Sequence, residues 1–178
     1  LLKPLPYPDP DRLVRIWGRT TKPDIPRLLA SEGEVLDYQT KFDSFESVAA
    51  YVWREGNLTS GDQPERIRIY YASYQLWDVI GVKPLLGRTY GAEEDKPGMP
   101  QVVVLSYDVW RRNFGGDPNI VGKNIDVNLT GRTVLGVMPQ GFEFPDRAQM
   151  WSPLRIDPAN LDWRQNHYIE VLARLKPG

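Results

Sequence analysis

The sequence predicts an α+β fold that is discontinuous along the chain, and three observations predict it. Residues 102–139 read as a self-contained strand, helix and hairpin. Strand and helix patterns precede that unit, and one more strand pattern follows it at 168–175, so the middle unit is expected as an insertion. The 41% apolar and 25% charged fractions are those of a packed chain rather than a disordered one. At this length about 70% of the unfolded surface can be buried.

The elements follow in order. Residues 1–10 carry four prolines and should form an extended, polyproline-like lead. Leu13, Val14, Ile16 and Trp17 with one charge suit a strand, and polar, proline-punctuated 18–29 reads as a loop. Ser31 and Glu34 match a capping box that opens a helix carrying Val35, Leu36, Tyr38 and Phe42. Asp43, Ser44, Phe45 and Glu46 resemble a second helix start leading into Val48, Ala49 and Ala50. Tyr51, Val52 and Trp53 then make a strand, with a turn beginning at Gly56-Asn57. In 65–72, Ile67 and Ile69 alternate with Arg66 and Arg68, a strand with one wet face. Ser73 is expected to cap a short helix, 74–80, that Gly81 ends. The connector that follows, with Glu93, Glu94 and Asp95, is the expected boundary between two subdomains.

Within the middle unit, Val102, Val103, Val104 and Leu105 make a β-branched run suited to a buried strand. Ser106 is an N-cap, and Asp108 complements the helix dipole. Trp110 and Phe114 share one helix face, which leaves Arg111, Arg112 and Asn113 to water, and Gly115 stops the helix. Ile125, Val127 and Leu129 have strand period, Asn128 to Gly131 supply a turn, and 133–138 return. Segments 141–145 and 150–154 contain prolines and read as edge strands; 157–166 is a polar loop.

Little in this inventory carries chemistry. A net charge of −1 offers no global field to hold a nucleic-acid backbone, so no nucleic-acid partner is expected. The absence of cysteine removes disulfides, thiolate metal sites and thiol nucleophiles, and fits an oxidising extracytoplasmic space. No apolar run of about 18 residues could span a membrane. Leu1-Leu2-Lys3-Pro4 is no signal peptide, and the chain reads as a piece of something longer. His167 has no second histidine or cysteine to build a metal site or triad with, and is expected at a strand edge. Glu93-Glu94-Asp95 lacks the spacing of a calcium loop and reads as a solvated acidic turn. Arg66, Arg68, Arg111 and Arg112 are too sparse for a nucleic-acid patch. Gly81 to Gly87 is no phosphate loop, since no GK[ST] follows, and no GxGxxG occurs. Asn57-Leu58-Thr59 and Asn128-Leu129-Thr130 are formal sequons, with turn chemistry the better account. The aromatics could line a pocket, but core is the better reading. No catalytic, cofactor-binding or metal-binding residue is assigned, and an enzyme is not expected.

One ordered set of pieces resembles a known family. It comprises Leu5-Pro6-Tyr7-Pro8-Asp9-Pro10-Asp11-Arg12-Leu13-Val14, Glu65-Arg66-Ile67-Arg68, and Gly81-Val82-Lys83-Pro84-Leu85-Leu86-Gly87-Arg88. It continues with Val103-Val104-Leu105-Ser106, Trp110, Phe114-Gly115-Gly116-Asp117-Pro118, Ile120-Val121-Gly122-Lys123 and Val137-Met138-Pro139. The set is similar to the MacB-like periplasmic core domain of ABC-transporter permeases, more narrowly the large group typical of acidobacteria. The resemblance implies a discontinuous porter-like α/β subdomain with an inserted β-rich, sabre-like subdomain. The implied segments are a lead at 1–11, a first porter-like part at 12–90, the insertion at 91–161 and a return strand at 162–178. A second porter half would continue beyond Gly178.

The family further implies a periplasmic domain of an inner-membrane protein, between two membrane helices, with no reaction or cofactor of its own. Its partners would be an ATP-binding subunit or domain, an adaptor or outer-membrane protein, and a second permease copy. The implied role couples ATP-driven helix motion to export or extraction of a substrate. The alternative is a stand-alone extracytoplasmic module that binds a lipid, peptide or glycan.

Overall fold

The computed structural model describes residues 7–21, 23–61, 63–159 and 166–178, so the expectations for 1–6 and for most of 157–166 lie outside it. A 3-10 turn, Pro10–Arg12, leads into β1 (Leu13–Ile16), β2 (Gly18–Thr21), β3 (Asp24–Leu28) and α1 (Glu32–Lys41). Next come β4 (Phe45–Leu58), β5 (Glu65–Ala72), α2 (Gln75–Ile80) and β6 (Leu86–Gly87). The chain continues through β7 (Val102–Leu105), α3 (Tyr107–Phe114), β8 (Asn124–Val127), β9 (Thr130–Val137), β10 (Met150–Pro153) and β11 (Glu170–Leu175).

Nine strands form one mixed sheet in the order β1-β11-β4-β5-β10-β7-β9-β6, with β8 between β9 and β4. The β10–β5 and β7–β9 pairs are parallel and the others antiparallel. Because β8 also meets β4 at Leu58↔Val127, strands β4, β5, β10, β7, β9 and β8 close into a small barrel. The amides of Thr59 and Asn128 seal the seam, bonding the carbonyls of Asp126 and Asn57 at 2.9 Å each. Leu58, Ile67, Ile69, Val103, Leu105, Val127, Val134 and Met150 are all buried in a single cluster with Val109 and Trp110 of α3. Gly56 lets this wall pack closely, since a Cβ there would stand 2.4 Å from Ile69 Cδ1 and that side chain would have to shift.

The flat half, β1-β11-β4, has a core on each face. Val35 of α1 packs with Val48, Ala50, Val171 and Ala173 on one face. On the other, α2 brings Leu76, Trp77 and Ile80 onto Ala49, Tyr51, Leu172 and Trp151. Strands β7 to β10 and helix α3, all within 91–161, therefore pair and pack with β4 and β5 of 12–90.

Several local expectations hold. Both halves of the Ser31–Glu34 capping box are present, Ser106 accepts from the Val109 amide, and Gly81 and Gly115 close their helices in left-handed geometry. Others are corrected. Where a loop was expected, Gly18–Thr21 and Asp24–Leu28 form a two-stranded ribbon, with Thr20 and Thr21 paired to Ile25 and Asp24 outside the main sheet. The second helix start at 43–46 opens the 14-residue strand β4, where aromatic and β-branched residues pair on both sides. That strand runs through Gly56-Asn57, where a turn was expected. Ser73 does not cap α2; its hydroxyl accepts from the Ala50 amide instead. Strand β10 is buried and central rather than an edge, with Pro153 past the last β7 pair where its missing amide costs no ladder bond. Segment 141–145 forms turns, and Leu129 is a turn residue rather than part of a strand.

Candidate functional site

A cleft of about 470 Å³ lies between the wet side of β5, the start of α3 and the loop at 141–149. It gathers the strand arginines expected to face water. Each is matched locally: Arg66 by Glu55, Arg68 by Asp146 at 3.0 Å, and Arg112 by Glu65 at 3.0 and 2.5 Å. Arg68 also lies 4.9 Å from the ring centroid of the exposed Trp53. Asn113, expected in water, is buried and donates to Glu65 at 3.0 Å. Hydrogen bonds from Arg112 hold the Glu65 carboxyl below the usual carboxylate range, against the opposing effect of burial. Three of the arginines lining this cleft have carboxylate partners, while Arg147 has none among the described residues, so the cleft is a largely neutralised polar wall.

The other sequence candidates are built into the fold. Glu94 accepts from the Gly91 amide at 2.8 Å and pairs with Arg88. Asp95 accepts from the amides of Tyr74 at 3.0 Å and Arg155 at 2.8 Å, and burial raises its pKa. The acidic turn is thus partly a structural tie rather than wholly solvated. His167 Nε2 lies 3.4 Å from a Glu34 carboxylate oxygen. The phenol of Tyr168, next to it, is pushed up to about 12 by burial and its hydrogen bond to Glu32. Among the described residues, no three His, Cys, Asp or Glu side chains are grouped to hold a metal.

Two poles of the molecule remain, and sequence reasoning singled out neither. At one pole the turn joining β8 to β9 holds Asn128 and Leu129 in left-handed conformation, φ 53° and 61°. The Asn128 carbonyl Oδ1 accepts from the Asn57 amide at 2.8 Å, so both sequons meet there and turn chemistry accounts for Asn128. Leu129 is 90% exposed, between the uncharged Asn128 and Thr130 in sequence. In sequence Leu129 reads as part of the Ile125, Val127, Leu129 alternation and of the turn that follows, not as an exposed apolar residue.

The opposite pole carries the start of β1 and the end of β11, paired at Leu13↔Arg174. Both ends of the described chain therefore sit at this pole. Arg12 donates to the Leu175 carbonyl at 2.8 and 2.6 Å and pairs with Asp9 and Glu46. Arg174, 5% exposed, donates to the Val79 carbonyl at 2.8 Å. No helix among the described residues is long and apolar enough to cross a membrane.

Comparisons with known proteins agree on one architecture. The MacB-like periplasmic core domain family matches residues 4–178. The extracellular domain of the noncanonic ABC-type transporter YknZ from Gram-positive bacteria superposes with TM-score 0.68 at 14% identity, covering 93% of this chain and 84% of that one. The periplasmic region of MacB from Actinobacillus actinomycetemcomitans gives 0.65 at 20%, covering 92% and 73%. A domain of a putative permease from Porphyromonas gingivalis gives 0.68 at 18%, covering 97% and 76%. No curated protein sequence matches.

Proposed function

The chain belongs to the MacB-like periplasmic core domain family, and from that premise we propose that it works as a lever rather than as a catalyst. It is a periplasmic domain of a MacB-like ABC-transporter permease, and such permeases are inner-membrane proteins with an ATP-binding partner. In the proposed role, ATP-driven motion of the membrane helices enters at the pole where β1 begins. The domain carries that motion to the hairpin pole, which meets an adaptor or outer-membrane protein during export or extraction of a substrate. A second permease copy stands beside it.

The observation that supports this reading is the continuous sheet. Strand β4 runs 14 residues from one pole to the other, from its pair with β11 to the barrel seam. A displacement applied at one end of such a strand reappears at the other, because packed sheets deform little. The segments 12–90, 91–161 and 162–178 are proposed as divisions of chain order around that strand.

Grafting a flexible linker in place of this domain in the parent permease tests the proposal. ATP hydrolysis should persist while transport is lost; retained transport would overturn it. The alternative, a stand-alone binder, has the 470 Å³ cleft in its favour and requires a lipid, peptide or glycan to raise the melting temperature of the isolated chain.

A further inference from the structure

We propose that Arg12 and Arg174 form a mechanical clamp across the mouth of the β1–β11 pair, keeping the sheet from unzipping when the two chain segments at that pole are pulled apart. The clamp deepens the lever reading and rests on it for its purpose, though not for its existence.

The need for a clamp follows from the strand geometry. Among the described residues β1 is at the sheet's edge and pairs only with β11, antiparallel, with Leu13 opposite Arg174 at the open end. Load applied through residues 12 and 176 therefore pulls along the inter-strand hydrogen bonds. These would break singly rather than together, since antiparallel ladder bonds run perpendicular to the strands. An unreinforced edge pair loaded this way is the weakest element of the sheet.

Each strand end supplies one arginine to the other side. Arg12, just before β1, places Nε and Nη2 at 2.8 and 2.6 Å from the Leu175 carbonyl at the end of β11. The same guanidinium pairs with Glu46 near the start of β4, so one side chain ties three neighbouring segments. Arg174 reaches in the other direction, with Nε 2.8 Å from the Val79 carbonyl in the last turn of α2 and Nη1 3.4 Å from the Asp9 carbonyl. Pro8 also lies against Gly81, where a Cβ would come within 3.3 Å of its ring.

Burial makes the choice of arginine informative. Arg174 is 5% exposed, none of its hydrogen bonds among the described residues goes to a carboxylate, and its Nη2 has no hydrogen-bond partner among them. Removing such a charge from water is unfavourable, and a methionine would fill similar volume without that penalty. What methionine lacks is a rigid fork of donors able to hold carbonyls of two different segments at once.

Single-molecule pulling of this chain, with handles at its two ends, tests the clamp in wild type, Arg12→Gln and Arg174→Met. Each variant should open about tenfold faster or more at the same load, as expected for losing a charged hydrogen bond. The same variants pulled between cysteines introduced at Glu93 and Leu129, in a chain with no cysteine of its own, should open at the wild-type rate. Equal opening rates in the terminal geometry would overturn the proposal, as would equal acceleration in both geometries, which is general destabilisation. Should Arg174→Met not fold, the half-buried Arg12 decides alone. Failure of the lever reading shows elsewhere, as transport that survives removal of the domain, and leaves the pulling result standing.

Discussion

The two poles of the sheet solve opposite problems. Where β1 starts and β11 ends, charged side chains are drawn inward and spent on carbonyls of neighbouring segments, with Arg174 buried to do so. At the β8–β9 turn an apolar side chain is pushed outward, 90% exposed and in a backbone region that disfavours leucine. The first pole is over-connected to its own chain. The second holds a residue that returns nothing to the fold. Internal ties suit a place where force enters, and an exposed apolar knob suits a place where something else is touched.

The contrast requires that both poles belong to one cooperative body, and the largest effect tests that. Trp151 is fully buried on central strand β10, with ring centroids 6.2 Å from Trp77 and 5.3 Å from Phe142, and donates to the Phe144 carbonyl at 3.0 Å. Trp151→Ala should cost about 3–5 kcal/mol and lower protection from hydrogen exchange at both poles together. Separate transitions for the two poles would break the comparison. Ser106→Ala removes the α3 cap that accepts from Val109 and should cost about 1 kcal/mol in a denaturant melt.

Acid should sharpen the contrast. Glu65, at the hairpin pole opposite Leu58, is held below its ordinary pKa of 4.5 chiefly by Arg112. A depressed carboxylate contributes stability that is present above its unfolded value and lost as pH falls through the folded one. Stability should therefore decline below about pH 4.5, and Glu65→Gln should flatten that part of the pH curve. An unchanged slope in the variant would remove Glu65 from the account. The smallest effect on folding is expected at Leu129. Replacing it by glycine relieves the left-handed strain against a gain in unfolded-state freedom, leaving stability within about 1 kcal/mol of wild type. Transport by the parent permease should nevertheless fall, a split between stability and function that no core residue would show.

What could be read in advance was local. The Ser31–Glu34 box, the Ser106 cap and the glycine stops depend on residues within one turn, and each is present. Residues 43–46 carry the same kind of signal yet open a strand, because pairing with β5 and β11 outweighs a weak local preference. Strand β10 looked like an edge because proline is rare inside sheets, but Pro153 lies just past the doubly paired residues. The barrel seam at Leu58↔Val127 joins positions far apart in the chain, so no period in either segment announced it. For the same reason the Asn128 turn was legible as a turn, but not as a pole. Arg12 and Arg174 carried no signal in sequence that they bond neighbouring segments, since those partners meet only where β1 begins and β11 ends.

In the proposed role this domain moves as one body while its energy source lies elsewhere. Spin labels on cysteines introduced at Lys83 and Leu129, in the full permease, report the distance along that body in the presence and absence of ATP. A third label at the membrane surface reports its position. The account predicts a constant Lys83–Leu129 distance while both move relative to the membrane label. A changing internal distance, or no movement of either label, would contradict it.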